Sequence, residues 1–313
     1  MIEQISPILV LGGTGHFGRH IVRTLLQSKQ PVRVLSRTAD QAQQVLGPQV
    51  EILAGDITDR TALLKAVAGT RAIVIAVSAF RPRSIRRIGQ IERDAILMTL
   101  EEAQRAAVPR IVYLSIYDIQ EDVAKALDMP VAGIKLQIEA ALAHSDFCWT
   151  VLGAAPSMQV FFAMIRGDRM MVPGGGRSPL PTVSALDVGQ IAAQAALRSD
   201  LHGQRIRMVG PEAVSFPEAA RRISAVIGRQ IRVQKIPLLP LRVGAMVSRP
   251  FNPYLRYLLA SVRLMNSFPE DMLAQVANDH QRLLQTFDYQ PSTLEMEAHR
   301  WQQETEVPSG CKG

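Results

Sequence analysis

The sequence has few of the features that mark secreted, membrane-spanning or disulfide-stabilised proteins. It contains only two cysteines, Cys148 and Cys311, which cannot build a disulfide framework. No apolar run approaches the ~20 residues that a membrane-spanning helix requires. The start of the chain contains Glu3 and lacks a basic stretch followed by an apolar one, so we expect no signal peptide. Together these absences predict a cytoplasmic protein.

Acidic residues are scarce relative to basic ones. The chain has 35 Lys and Arg against 28 Asp and Glu, a net charge of +7 and a pI near 9.8, and most of the basic residues are arginine. A basic surface suits nucleic acid, anionic lipid or a phosphate-rich cofactor. The arginines are scattered and no nucleic-acid recognition motif accompanies them, so nucleic acid is the least favoured of the three.

The remaining composition is typical of a globular α/β protein. With 313 residues, of which 47% are hydrophobic and 20% charged, the chain can bury a full core. Residues 1–155 alternate short apolar strands with longer helical patterns, starting with a strand at Ile8–Leu11 and a helix at His16–Gln27. This alternation predicts a Rossmann-like, doubly wound parallel sheet with helices on both faces.

The pattern changes after Ala155. We expect residues 156–302 to form a smaller C-terminal α/β substrate region, interleaved with the first through the C-terminal half of the chain. Residues 303–313 are polar and are predicted to be a flexible tail.

The most informative local pattern is the glycine-rich turn after the first strand. Gly12, Gly15 and Gly18 follow the spacing GxxGxxG and lie between a predicted strand and a predicted helix. Gly12 permits a tight turn, Gly15 lets backbone approach a pyrophosphate, and Gly18 permits close packing of helix on strand. The phosphates would lie at the helix N-terminus, where the dipole favours anions. The predicted cofactor contacts here are Gly12, Thr14, Gly15, His16, Phe17 and Gly18; the alternative is a glycine turn without a ligand.

The end of the second strand indicates which dinucleotide is bound. A carboxylate there would hold the ribose 2′-hydroxyl of NAD(H), but this chain has Ser36 and Arg37. Because a guanidinium pairs with a 2′-phosphate, we predict NADP(H) in preference to NAD(H). The alternative is an arginine that is merely solvated.

Two further strand ends are predicted to contact the cofactor. Asp56, with Ile57 beside it, follows the third strand and is placed to meet the adenine amino group, although a helix N-cap is an equal alternative. Ala76, Val77 and Ser78 end the fourth strand and should flank the ribose and pyrophosphate through their backbone, unless they serve packing alone.

Taken together, the glycine loop, the Ser36-Arg37 pair and Gly55-Asp56 resemble the NmrA-like branch of the atypical short-chain dehydrogenases/reductases. The resemblance covers roughly residues 7–236. Further segments that match are Glu101–Ser115, Ile134–Leu142, Ser184–Gly189 and Gly210–Ser215. The resemblance implies that Lys135 holds the cofactor ribose, that Ser115 orients the acceptor, and that the loop from Gly153, including Ala154, passes the nicotinamide.

The chain departs from the wider dehydrogenase pattern at the proton donor. A typical member has a tyrosine four residues before the lysine, but here that position is Val131. Tyr117 is the candidate substitute, and a half-buried packing role is its alternative. For Lys135 the alternative is an exposed helix lysine. The histidines show no metal-ligand spacing, so we predict no metal.

Three functions remain open from the sequence. The first is an NADPH-dependent reductase of a small apolar carbonyl or quinone-type acceptor, by direct hydride transfer. The second is a non-catalytic NADP(H)-binding redox sensor, regulator or assembly factor. The third, less favoured, is contact with a membrane surface through residues 237–266, where Arg242, Arg249, Arg256 and Arg263 recur every seven residues. A homodimer is a further possibility.

Overall fold

The computed structural model describes residues 5–118, 130–248 and 253–306. Its contacts divide the chain into two units. The first unit comprises Met1–Ala154, Ala185–Met208 and Asn252–Tyr254. The second comprises Ala155–Ser184, Val209–Phe251 and Leu255–Gly313.

The strands and helices are named here in chain order. The strands are β1 (Ile8–Leu11), β2 (Val32–Ser36), β3 (Glu51–Ala54), β4 (Ala72–Ile75), β5 (Arg110–Ile116), β6 (Cys148–Ala154), β7 (Ile165–Arg166), β8 (Arg169–Pro173), β9 (Leu180–Pro181), β10 (Gln204–Met208), β11 (Ala213–Val214) and β12 (Arg232–Ile236). The helices are α1 (Gly18–Gln27), α2 (Ala39–Leu46), α3 (Arg60–Val67), α4 (Ala95–Arg105), α5 (Pro130–Ala143), α6 (Gln159–Ala163), α7 (Ala185–Leu197), α8 (Phe216–Ile227), α9 (Leu239–Ser248), α10 (Tyr254–Asn266), α11 (Glu270–Thr286) and α12 (Leu294–Glu306).

The first unit is built on a parallel sheet with the strand order β10-β6-β5-β4-β1-β2-β3 within the described residues. Every residue of β1 and of β4 is buried, as expected for strands that are covered on both faces. The direction of strand progression reverses between β1 and β4, which is where ligands bind in open α/β sheets. The predicted Rossmann-like fold is therefore confirmed.

The second unit combines small sheets with helices. β12 runs parallel to β8, which forms a hairpin with β7, and β11 pairs with β9. The sequence predicts a helix capped by Ser215 with Glu218 three residues on, and at the start of α8 Ser215 accepts a hydrogen bond from the Glu218 amide at 3.3 Å. Helix α12 continues through Glu306, into the segment predicted as a tail; residues 307–313 lie outside the described residues. No described helix is long and apolar enough to cross a membrane.

Several boundaries differ from the sequence prediction. Helix α2 was not predicted, and only Ala42 and Leu46 of its residues are buried. The apolar spacing of residues 88–106 predicts a single helix, but the structure has a 3₁₀ turn (Ile85–Arg87), a π-helical turn (Gln90–Asp94) and α4. The π turn places a buried charged residue, Glu92, beside the sheet.

Candidate functional site

The glycine turn lies at the switch point and is closely packed. Gly12 has φ +83°, and a Cβ atom there would lie 2.5 Å from the carbonyl oxygen of Ala76. A Cβ atom on Gly15 would lie 2.9 Å from the Gly12 oxygen, and one on Gly18 only 2.0 Å from it. Each position therefore requires glycine, for reasons of backbone conformation or space. The result is a bare backbone cradle at the carboxyl end of β1.

Helix α1 opens out of this cradle. Phe17 precedes it, and an apolar side chain cannot cap the first turn. His16 packs its ring against that of Phe17, with 5.0 Å between centroids. The positive end of the α1 dipole thus faces the cradle, as an anionic pyrophosphate would require. Thr14 lies in the same turn and is exposed.

At the end of β2 the structure separates the roles of two neighbouring residues. Ser36 is buried, and its hydroxyl bonds locally with the backbone of Thr38 at 3.3 Å. The Arg37 side chain is exposed and faces solvent. Arg37 is therefore available to a phosphate, whereas Ser36 is partly occupied in shaping the turn.

The β3 end is held by Asp56. Its carboxylate accepts hydrogen bonds from both the amide and the hydroxyl of Thr58, each at 2.9 Å. Partial burial acts to raise the pKa of Asp56, but the Thr58 hydrogen bonds and the positive charges of Arg37 and Arg87 outweigh it and lower the pKa. The N-cap of α3 is Asp59, which accepts from Thr61, so Asp56 is not that cap. Asp56 therefore stays ionised at neutral pH, stabilised by the Thr58 hydrogen bonds and by the charges of Arg37 and Arg87.

The residues that follow β4 contribute mainly backbone atoms to the candidate site. The Ala76 amide donates to the Leu11 carbonyl at 2.9 Å, which continues the parallel ladder by one residue. Val77 packs against the apolar core, as does Ile57 after β3. Ser78 is exposed and its hydroxyl accepts from the Phe80 amide at 3.3 Å. Ala76 and Ser78 thus lie at the rim, while Val77 and Ile57 anchor their loops.

Ser115, near the end of β5, belongs to a polar network that the sequence did not reveal. Its hydroxyl donates to Glu139 of α5 at 2.5 Å. The second oxygen of Glu139 accepts from Arg205 of β10 at 2.9 Å. Arg205 also donates to the carbonyls of Ile116 and Tyr117, at 2.9 and 3.0 Å. The Ser115 hydroxyl is therefore fixed in direction, and the end of β5 is tied to β10.

Lys135 lies on α5 one helical turn before Glu139 and is also buried. Its Nζ is 3.3 Å from Oε2 of Glu92 and 3.3 Å from the Leu114 carbonyl oxygen. It also lies 5.0 Å from the centre of the Tyr113 ring. The lysine is thus not the exposed helix lysine considered as an alternative. Its ammonium is held by a carboxylate, a carbonyl and an aromatic face.

The other predicted catalytic positions are buried as well. Tyr117 is 4% exposed and Val131 is 9% exposed. Ala154 is buried on β6, opposite Ile116 in register. Nothing in the structure tests the roles predicted for Lys135, Ser115 and Tyr117, and those roles remain predictions.

Sequence reasoning missed Glu92 and Arg205 and gave Glu139 no role. Glu92 did carry a signal, because it continues the buried stripe of Ile96, Thr99 and Ala103 at helical spacing. An acid on an apolar stripe implies a buried partner. Arg205 carried no local signal, since its contact with Glu139 joins residues far apart in the chain.

Comparison with known proteins identifies the family. The model of the NmrA-like family matches residues 4–295, nearly the whole chain. This chain belongs to the NmrA-like family. A relative named NAD(P)H azoreductase, from Xenophilus azovorans, is 29% identical over 74% of this chain and 77% of its own. Photosystem II assembly factor Ycf39 from Synechocystis is 25% identical over 78% of this chain and 74% of its own.

A solved structure supports the fold of this NmrA-like protein. Citrobacter triphenylmethane reductase, complexed with NADP(H), superposes with a TM-score of 0.72 at 18% identity. The match covers 94% of this chain and 99% of that one. At this identity the likeness establishes the fold and leaves the chemistry to be argued from the site.

Proposed function

We propose that this NmrA-like protein binds a nicotinamide dinucleotide on the glycine cradle. The observation that carries the proposal is Gly12, whose positive φ and contact with Ala76 leave bare backbone at the sheet's switch point. A pyrophosphate fits there, because the cradle excludes side chains and α1 presents its positive end. Relatives named as NAD(P)H azoreductase and Ycf39 support a redox-related role.

We further propose that NADP(H) is preferred over NAD(H). Arg37 is exposed at the end of β2, and Arg87 adds a second positive charge near Asp56. A 2′-phosphate beside Arg37 would gain a charge-assisted hydrogen bond that a 2′-hydroxyl cannot match. The absence of a carboxylate at the β2 end removes the usual partner for NAD(H).

The favoured activity is reduction of a small apolar carbonyl or quinone-type acceptor. When bound, the reduced nicotinamide would supply a hydride to the acceptor. The Ser115 hydroxyl donates its single proton to Glu139 in the structure, so to orient the acceptor oxygen it would turn from Glu139 toward the acceptor. Lys135 has three N–H donors, of which one bonds to the Leu114 carbonyl, and its ammonium lies beside Glu92; a further N–H would hold a ribose hydroxyl. Tyr117 or water would deliver the proton. A quinone-type acceptor is favoured because hydride transfer to it depends least on a positioned proton donor.

The first experiment is a calorimetric titration with NADPH, NADP+ and NADH. We expect Arg37→Ala to weaken NADPH binding at least about tenfold and to leave NADH nearly unchanged, as expected for loss of one charged hydrogen bond. Arg23→Ala, which removes an exposed arginine of α1, is the matched control. Failure of the wild type to bind any nucleotide would overturn the proposal.

A non-catalytic NADP(H)-binding sensor or assembly factor is the second candidate. The observation that favours it is Val131, a buried apolar residue where the related dehydrogenases carry the proton donor. A sensor should bind NADPH and NADP+ with unequal affinity and oxidise NADPH at the background rate with every acceptor. Acceptor-dependent oxidation above background, abolished by Ser115→Ala, would reject the sensor and support the reductase.

A further inference from the structure

Helix α9 presents an apolar stripe to solvent. Leu239 is 69% exposed, Val243 48%, Met246 71% and Val247 62%. At about 100° per residue these positions fall within an arc of roughly 100°. Ala245, on another side of the helix, is buried. Several large apolar side chains on one exposed helical face indicate an interaction surface and not scattered surface residues.

The sequence around this helix is basic and free of acid. Between Glu218 and Glu270 there is no Asp or Glu. The same interval contains nine basic residues: Arg221, Arg222, Arg229, Arg232, Lys235, Arg242, Arg249, Arg256 and Arg263. Arg221 and Arg222 are paired with glutamates of the same unit. Lys235, Arg242 and Arg263 are exposed, and Arg242 lies at the edge of the apolar stripe.

We propose that α9 docks this protein on an anionic lipid surface. The stripe would enter the boundary between headgroups and acyl chains, while Arg242 at its edge would meet lipid phosphates. A second copy of the chain fits less well, because a symmetric contact through α9 would bring the exposed Arg242 of both copies to one interface. Lipid contact is the less favoured function on sequence alone, and the exposure of the four apolar side chains is the observation that supports it.

The length of the helix defines the kind of contact. Its 10 residues extend about 15 Å, half of the roughly 30 Å thickness of a bilayer core. The helix therefore lies in the membrane plane and does not span it. A short stripe of this kind binds weakly without charge, so we expect attachment to need both the apolar residues and anionic lipid.

Vesicle flotation of the full chain tests the proposal. We expect binding to phosphatidylcholine vesicles containing about a third phosphatidylserine, and weak binding to phosphatidylcholine alone. Met246→Glu with Val247→Glu should lower the partition coefficient at least about tenfold, because two apolar side chains no longer leave water. The matched control is Leu64→Glu with Leu284→Glu, which adds the same charge at positions 47% and 45% exposed.

Three outcomes of the flotation experiment would overturn the proposal. These are flotation equal on neutral and anionic vesicles, no flotation of the wild type, and flotation of the Met246/Val247 variant like the wild type. Circular dichroism melting first establishes that both double variants are folded. If light scattering shows a wild-type dimer that the Met246/Val247 variant loses, and no vesicle binding occurs, the stripe is a self-association face.

Discussion

The Lys135 ammonium lies 3.3 Å from the Glu92 carboxylate, and the two side chains are only 8% and 1% exposed. The other oxygen of Glu92 accepts from the Ala79 amide at 2.6 Å. One carboxylate therefore connects the lysine of α5 to the loop that follows β4. Burying such a pair costs desolvation free energy, which is offset only by good geometry and further hydrogen bonds. Glu92 thus fixes the position of Lys135, the lysine proposed to contact the cofactor.

Glu92→Gln tests this relationship. The substitution leaves a buried ammonium without its counter-charge, so we expect the free energy of unfolding to fall by about 3–5 kcal/mol in urea titrations. Glu92→Gln with Lys135→Met removes both charges and should be less destabilised than Glu92→Gln alone. A Glu92→Gln variant within about 0.5 kcal/mol of the wild type would show that the pair is not maintained in solution.

The fold and the glycine turn were predictable because their signals are local. Strand–glycine–helix order and spacing in Gly12–Gly18 directly specify backbone conformation, and the apolar runs of β1 and β4 specify burial. The polar network around Ser115 was not predictable in the same way. Its members come from α5 and β10, and only the sheet order brings Arg205 beside Glu139.

Lys135 illustrates an intermediate case. The resemblance identified the residue, but its surroundings depend on a π-helical turn that a regular helical pattern does not predict. That turn directs the Glu92 side chain toward the sheet, whereas the sequence pattern predicts a continuous regular helix at this point. The resemblance singled out Lys135, and the apolar stripe indicated that Glu92 is buried, but only the structure shows that the two residues pair.

Substitution of glycine by alanine is expected to have opposite effects on stability at Gly18 and at Gly133. In Gly18→Ala the new methyl group would meet the Gly12 backbone, so we expect a loss of about 1–3 kcal/mol and weakened NADPH binding. In Gly133→Ala, on an exposed face of α5 with no atom within 4 Å, we expect a gain of about 0.5–1 kcal/mol. Thermal and urea unfolding measure both. Equal effects would contradict the close approach of α1 to the turn.

Removal of the Tyr113 hydroxyl is expected to be tolerated. Its hydroxyl is buried and has no hydrogen-bond partner among the residues described. Burial, and then the carboxylates of Glu92 and Glu139, raise the pKa of Tyr113 well above its ordinary value, so the phenol stays neutral. Because the buried hydroxyl is unsatisfied, Tyr113→Phe should leave stability unchanged or raise it by about 1 kcal/mol. A loss of that size in urea unfolding would reveal a partner.

The second unit supplies a prediction about pH. Arg222 donates two hydrogen bonds to Glu295, at 2.6 and 3.0 Å, and lowers the pKa of Glu295 to about 2 against the opposing effect of burial. The unfolded chain takes up this proton near pH 4.5. The contribution to stability is therefore complete above that pH and is lost as the pH falls toward 2.

Glu295→Gln measures this contribution directly. The Glu295 side chain is 40% exposed, so solvent screening limits the effect to about 1 kcal/mol at neutral pH. We expect the stability difference between wild type and variant to shrink toward zero as urea titrations move from pH 7 to about pH 2. Gln49→Ala, which removes an exposed side chain without a titratable group, serves as the comparison and should show no such trend. A difference that stayed constant with pH would mean that Glu295 acts through packing, because only an ionised partner of Arg222 loses its effect on protonation.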